Sequence, residues 1–206
     1  MEIINITSSF TAANSYLLVD KETNKAALVD PGGDAKGLVR AIKEQGVSVT
    51  AILLTHGHFD HILALDEIKS HTGAEVYIHT LDNICLGNVN FSLMNLIGRD
   101  DTFDDADVLL EDGDEINVGN SKINVMHTPG HTAGSVCYVT DAGIISGDTL
   151  FLESIGRTDF PGGDFDTIDE SIHRLYAIEG DAKVYPGHGP ATTLSHERIY
   201  NPYVKE

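Results

Sequence analysis

Three imidazoles and a carboxylate fall inside one short stretch, LLTHGHFDHILAL at positions 53–65: His56, His58, Asp60 and His61. Packing alone does not ask for imidazoles at this spacing; metal binding does. His56 and His58 are two apart, directly after an apolar run that reads as a strand, so in extended backbone their rings face the same way. Asp60 and His61 are adjacent, where a helix should begin, and neighbouring side chains point in different directions. The pattern makes sense if it splits, with one pair for each of two ions.

Two ions need more than four ligands, and three later segments supply them. HTPGHTAGS carries His131, ISGDTLF carries Asp148 and VYPGHGP carries His188, each beside glycine or a tight turn. If Asp148 bridges, one ion receives His56, His58, His131 and Asp148, and the other receives Asp60, His61, His188 and Asp148. Imidazole with carboxylate suits zinc, iron or manganese better than calcium, and the set lacks the thiolates of a closed structural zinc site. Glycine next to a ligand lets backbone approach the metals without a side-chain clash. His71, His79, His127, His173 and His196 belong to no such pattern; His127 lies near His131 and reads as a packing or supporting residue.

These ligands must be held by strands and helices that the chain announces in two batches. SYLLVD and KAALVD, at 15–20 and 25–30, read as strands joined by the polar turn KETN. A helix follows, capped by Asp34, faced by Leu38, Val39 and Ile42, and stopped by Gly46. VTAILLT has the apolar character of a strand buried on both faces. A second helix fits 62–71, with Gly73 beyond its end, and AEVYIHT returns as a strand. Residues 81–107 are weakly patterned and read as short helices forming a lid, since long insertions of this kind are often functional. The second half repeats the scheme with KINVMHT, SVCYVT, GIISGD and AKVYPG. Between the last two lies a helix with Thr167 and Glu170 as a capping box and Ile168, Ile172, Leu175 and Ile178 as its buried stripe. Two batches of strands with their own helices imply two sheets packed face to face with helices outside, in one domain spanning 1–206.

Composition bounds the partners. Thirteen Lys and Arg against 32 Asp and Glu give a formal charge of -19, a surface that repels nucleic acid and anionic lipid. No apolar run is long enough to span a bilayer, and the opening MEIINITSSF lacks the features of a secretory signal, so a cytoplasmic location is expected. Cys85 and Cys137, each among apolar neighbours, read as buried reduced thiols rather than a disulfide.

THGHFDH, TPGHTAGS, SGDTLF and YPGHGP, in that order, resemble the metallo-β-lactamase-fold hydrolase superfamily along essentially the whole chain. The resemblance implies an αββα four-layer sandwich of two mixed sheets, with the ligands along one edge. True β-lactamases of the superfamily usually place cysteine where Asp148 stands and are exported, so an antibiotic-degrading role is not expected. The block GDTLFLESIGRTDFPGGD is similar to the short glyoxalase II-like branch, hydroxyacylglutathione hydrolases without the C-terminal helical domain that holds glutathione. Many relatives also have Gly-Gly where Leu63 and Ala64 stand here, which implies a less open backbone beside the second metal.

Two divalent ions would lower the pKa of a shared water towards about 7 and polarise a carbonyl, so the expected reaction is attack by a metal-bridging hydroxide on a hydroxyacyl thioester, a small-molecule substrate. Asp60 is a ligand that could also act as a base. Arg157 could anchor a substrate carboxylate, although an internal ion pair with Asp159 or Asp164 is the plainer expectation. Asp30 reads as a supporting partner or turn former. The alternative activity implied by the resemblance is a persulfide dioxygenase, which shares GRTDF and would use two histidines and an aspartate around one iron.

Overall fold

The computed structural model describes residues 1–7 and 13–205; the opening stretch used above to argue against a secretory signal therefore lies partly outside the described residues. The first batch of strands builds one sheet: β1 (Glu2–Thr7), β2 (Asn14–Asp20), β3 (Lys25–Val29), β4 (Ser48–Leu53), β5 (Glu75–His79) and β6 (Val108–Leu110), in that spatial order. The KETN link is a tight turn with Asn24 in the left-handed region, φ 54°, so β2 and β3 pair antiparallel. From β3 to β6 the pairing is parallel, because crossovers rather than hairpins join those strands. They carry α1 (Ala35–Gln45), α2 (Phe59–Ile62), α3 (Leu65–Thr72) and α4 (Asn83–Gly87).

The second batch builds the other sheet from β7 (Glu115–Val118), β8 (Ser121–His127), β9 (Val136–Thr140), β10 (Gly143–Gly147), β13 (Lys183–Pro186) and β14 (Thr192–Thr193). Its order is β14-β13-β10-β9-β8-β7, and β10 with β13 is its parallel pair. A small hairpin, β11 (Leu150–Phe151) and β12 (Ser154–Ile155), and then α5 (Phe165–Tyr176) occupy that crossover, and α6 (Leu194–Tyr200) follows the last strand. No helix among the described residues is long and apolar enough to cross a membrane.

Period-two alternation sends the side chains of each strand to opposite faces, which creates three apolar layers. Leu17 and Val19 of β2 face outward, where Leu38 and Ile42 of α1 and Leu65 and Ile68 of α3 cover them. Tyr16 and Leu18 of the same strand face inward, against Val118, Ile123, Tyr138 and Ile145 of the other sheet. On the far side, Ile144 and Val184 pack under Ile168, Ile172 and Leu175 of α5 and Leu194 of α6. The order is therefore helix, sheet, sheet, helix. Ile172 is fully buried, so Ile172→Ala is expected to destabilise the fold by about 2–5 kcal/mol, read from the denaturation midpoint.

Three local expectations need correction. Ser48 and Thr50 are exposed, so only the C-terminal half of β4 is covered on both faces. The helix expected over 62–71 is broken, because the Ala64 amide turns away to donate to the Pro31 carbonyl, 2.8 Å, and α3 starts at Leu65. The helix expected to be capped by Thr167 and Glu170 begins earlier: Asp164 accepts from both the amide and the hydroxyl of Thr167, at 2.8 and 2.6 Å. Asp34, Gly46 and Gly73 cap as expected. Residues 81–107 contain α4 and short 3-10 turns, with Leu86 and Met94 anchored in the first apolar layer. Cys85 and Cys137 are buried free thiols; burial pushes Cys137 up to about 11.

Candidate metal centre

All seven sequence-nominated side chains meet at one edge of the sandwich. His56 and His58 leave the C-terminal end of β4, Asp60 and His61 lie in α2, and His131, Asp148 and His188 follow β8, β10 and β13. Close approach of these loops depends on glycine. A Cβ on Gly187 would run into the Asp148 carboxylate and the His61 ring. Gly32 serves the Asp60–His61 segment in the same way: a Cβ there would collide with the Asp60 carbonyl.

The donor atoms form three overlapping triads, each within 4.8 Å: His56, His58 and His131; Asp60, His61 and His188; and His56, His61 and Asp148. His58 Nδ1 and His131 Nε2 lie 2.9 Å apart. In the second triad His188 Nε2 is 3.1 Å from Asp60 Oδ2 and 3.4 Å from His61 Nε2. Asp148 stands between them, its Oδ2 3.6 Å from His131 Nε2 and 3.5 Å from His188 Nε2, its Oδ1 3.4 Å from His61 Nε2.

Hydrogen bonds on the far side of three rings decide which nitrogen faces inward. The Thr55 hydroxyl donates to Asp30, 2.6 Å, so it accepts from His56 Nδ1 at 3.1 Å. His61 Nδ1 donates to the same Asp30 carboxylate, 2.9 Å, and His131 Nδ1 donates to the Arg157 carbonyl, 2.8 Å. Each Nε2 is left with a lone pair aimed at the cluster, as a metal ligand requires. His56 Nε2 and Asp148 Oδ1 are buried with no hydrogen-bond partner.

Charge in the cluster also fits cations. Burial, with the neighbouring imidazoles, holds His56 well below the usual histidine range and brings His58 down to about 3, so both are neutral donors. Burial would lower His61 too, but Asp148, Asp60 and Asp30 outweigh it and hold this ring well above its ordinary value. Asp148 is held low despite its burial, by His61, His131 and His188. Buried carboxylates that draw protons onto neighbouring imidazoles would accept a divalent ion in their place.

Asp30 is a positioning residue as expected, also accepting the Thr55 amide at 2.7 Å. Arg157 pairs with Asp159 through two 2.7 Å bonds and lies over the Phe160 ring; the pair is exposed rather than internal, and Asp164 takes no part in it. His127 donates Nε2 to the Ala133 carbonyl, 2.9 Å, and stacks on His79 at 4.0 Å, a pairing that no spacing in the sequence announces. Sequence inspection also misses Asp82, a buried carboxylate in a segment that looks like a lid; nothing in TLDN marks it out. Above the ligands opens a cavity of about 400 Å³ walled by Phe59, Leu93, Phe151, Ile155 and Phe160.

A profile of the family described as Metallo-beta-lactamase superfamily matches residues 9–188. The chain belongs to this superfamily. Among its metallo-beta-lactamase relatives, the chain is 40% identical to "Probable metallo-hydrolase YqgX" of Bacillus subtilis, over 93% of this chain and 92% of that one. It is 33% identical to "Hydroxyacylglutathione hydrolase GloC" of Haemophilus influenzae, over 99% of this chain and 97% of that one. Of solved structures, the B3 metallo-beta-lactamase BLEG-1 superposes with a TM-score of 0.93 at 37% identity, covering 100% of both chains. TTHA1623 in a di-iron-bound form gives 0.87 at 32%, covering 98% of this chain and 100% of that one.

Proposed function

We propose that this chain, a metal-dependent hydrolase of the metallo-beta-lactamase superfamily, cleaves a hydroxyacyl thioester at a two-cation centre. The observation that carries the proposal is the pair of triads, His56–His58–His131 and Asp60–His61–His188, with Asp148 between them. Bound there, two divalent ions of the zinc, iron or manganese kind would supply hydroxide at neutral pH and polarise the acyl carbonyl. The chain's own residues do the rest. Phe59, Leu93 and Phe160 exclude water around the scissile bond, and residues 81–107 act as its cover through Leu93. Asp60, partly open to the cavity, orients the nucleophile and is placed to hold its proton. The C–S bond breaks as C–O forms, and the thiolate is a good enough leaving group that no strong acid is required. The likeness to GloC supports the thioester, and the di-iron form of TTHA1623 supports two ions.

The test is hydrolysis of a panel of acyl thioesters, S-lactoylglutathione among them, by metal-loaded protein. Wild type should exceed His58→Ala by about 100-fold or more, roughly 2.7 kcal/mol of barrier. Equal rates would end the proposal. The likeness to BLEG-1 favours a second reading, β-lactam ring opening at the same centre, so the panel includes a chromogenic cephalosporin. Oxygen uptake with glutathione persulfide, together with a content of one iron per chain, would point instead to the dioxygenase.

A further inference from the structure

We propose that Asp82 is a positioning residue that sets the affinity of the His56–His58–His131 triad for its ion while leaving the other triad alone; the inference rests on the two-cation centre proposed above. Asp82 ends the 3-10 turn Thr80–Asp82 and is 2% exposed. Among the described residues it makes no ion pair; its carboxylate is held only by hydrogen-bond donors. Oδ2 accepts from the Gly57 amide, 3.0 Å, and from the Thr132 hydroxyl, 2.8 Å, and Oδ1 accepts from the Gly134 amide, 2.7 Å.

The donors occupy telling places. Gly57 is the residue between His56 and His58, and Thr132 and Gly134 closely follow His131. One buried carboxylate thus ties together the two loops that carry this triad. Space is already taken up around it, since a Cβ on Gly57 would strike the Cys85 side chain and one on Gly134 would press on Asp82 at 2.6–2.8 Å. Asp30 serves both triads, His61 directly through Nδ1 and His56 through the Thr55 hydroxyl, whereas Asp82 makes no hydrogen bond to Asp60, His61 or His188. The contacts of Asp82 are therefore confined to the loops of the first triad.

An amide in place of the carboxylate cannot satisfy the same donors. Whichever way the amide of an Asp82→Asn variant turned, its NH2 group would face a backbone N–H of Gly57 or Gly134, and one loop would lose its tether. Metal affinity is read by titrating apo-protein with zinc against a chromogenic chelator, and by counting ions retained after dialysis. Wild type should hold two ions. Asp82→Asn should hold one as tightly as wild type and bind the other about 10- to 100-fold more weakly. Thr132→Val, which removes one donor and keeps both backbone contacts, should shift the same ion in the same direction by less, and serves if Asp82→Asn does not fold. Equal weakening of both ions, or no change in either, would overturn the inference, because a merely structural carboxylate would act on both or on neither. A wild type that binds a single ion would overturn it together with the two-cation centre.

Discussion

Asp148→Asn is expected to lower thioester turnover by about 1000-fold, close to 4 kcal/mol of barrier, and to reduce the bound metal below two ions per chain. The size follows from position. Asp148 is the one carboxylate, among the described residues, within 3.6 Å of histidines from both triads, His131 on one side and His61 and His188 on the other. Its low pKa, held down by those same histidines against the effect of burial, records how strongly the pocket favours a negative charge at this spot. An amide keeps the shape and removes the charge. Turnover is measured with metal in excess, and metal content by elemental analysis after dialysis. A variant that keeps more than about a tenth of wild-type activity would show that the two triads do not depend on a shared anion.

Removing the metal should cost stability as well as activity. Without cations, Asp60 and Asp148 stay in a pocket with five imidazoles, two of which, His56 and His58, are too buried to protonate readily. An ion present at about a thousand times its dissociation constant stabilises the folded state by about 4 kcal/mol per site. For a chain of 206 residues, each kcal/mol moves the melting temperature by roughly 2–4 °C. Chelation is thus expected to lower the transition by at least about 8 °C in a calorimetric scan, and added zinc should restore it. Superimposable scans with and without chelator would mean that the pocket gains nothing from cations.

How far the sequence could carry these conclusions depends on the kind of signal. Local periodicity marked the four inner strands of each sheet but not the edge strands β1, β6, β7 and β14, and the division into two batches anticipated the sandwich, because alternation and helix spacing are written in adjacent residues. Ligand types were legible for the same reason: imidazoles at i and i+2 beside a turn have few other uses. Supports were harder. Asp30 could be suspected from its place at a strand end, whereas Asp82 and the His79–His127 stack depend on loops about 50 residues apart meeting, as the Thr132–Asp82 bond does. Helix boundaries also failed, for two different reasons: the Pro31 carbonyl, distant in sequence, interrupts one helix at Ala64, and a local cap, Asp164 three residues before Thr167, begins another ahead of the expected one. Arg157 pairs with Asp159 as its sequence suggests, yet on the surface rather than inside, since a sequence shows a partner more readily than it shows depth.

The chain crosses from one sheet to the other once, between β6 and β7, and every proposed coordination sphere straddles that crossing. Neither half of the polypeptide encodes a complete set of donors. Affinity for the cations can arise only after the halves have docked, which makes loading a late event in maturation and a report on tertiary assembly. In a cell short of metal, the first loss would be cohesion across the seam rather than order within either half.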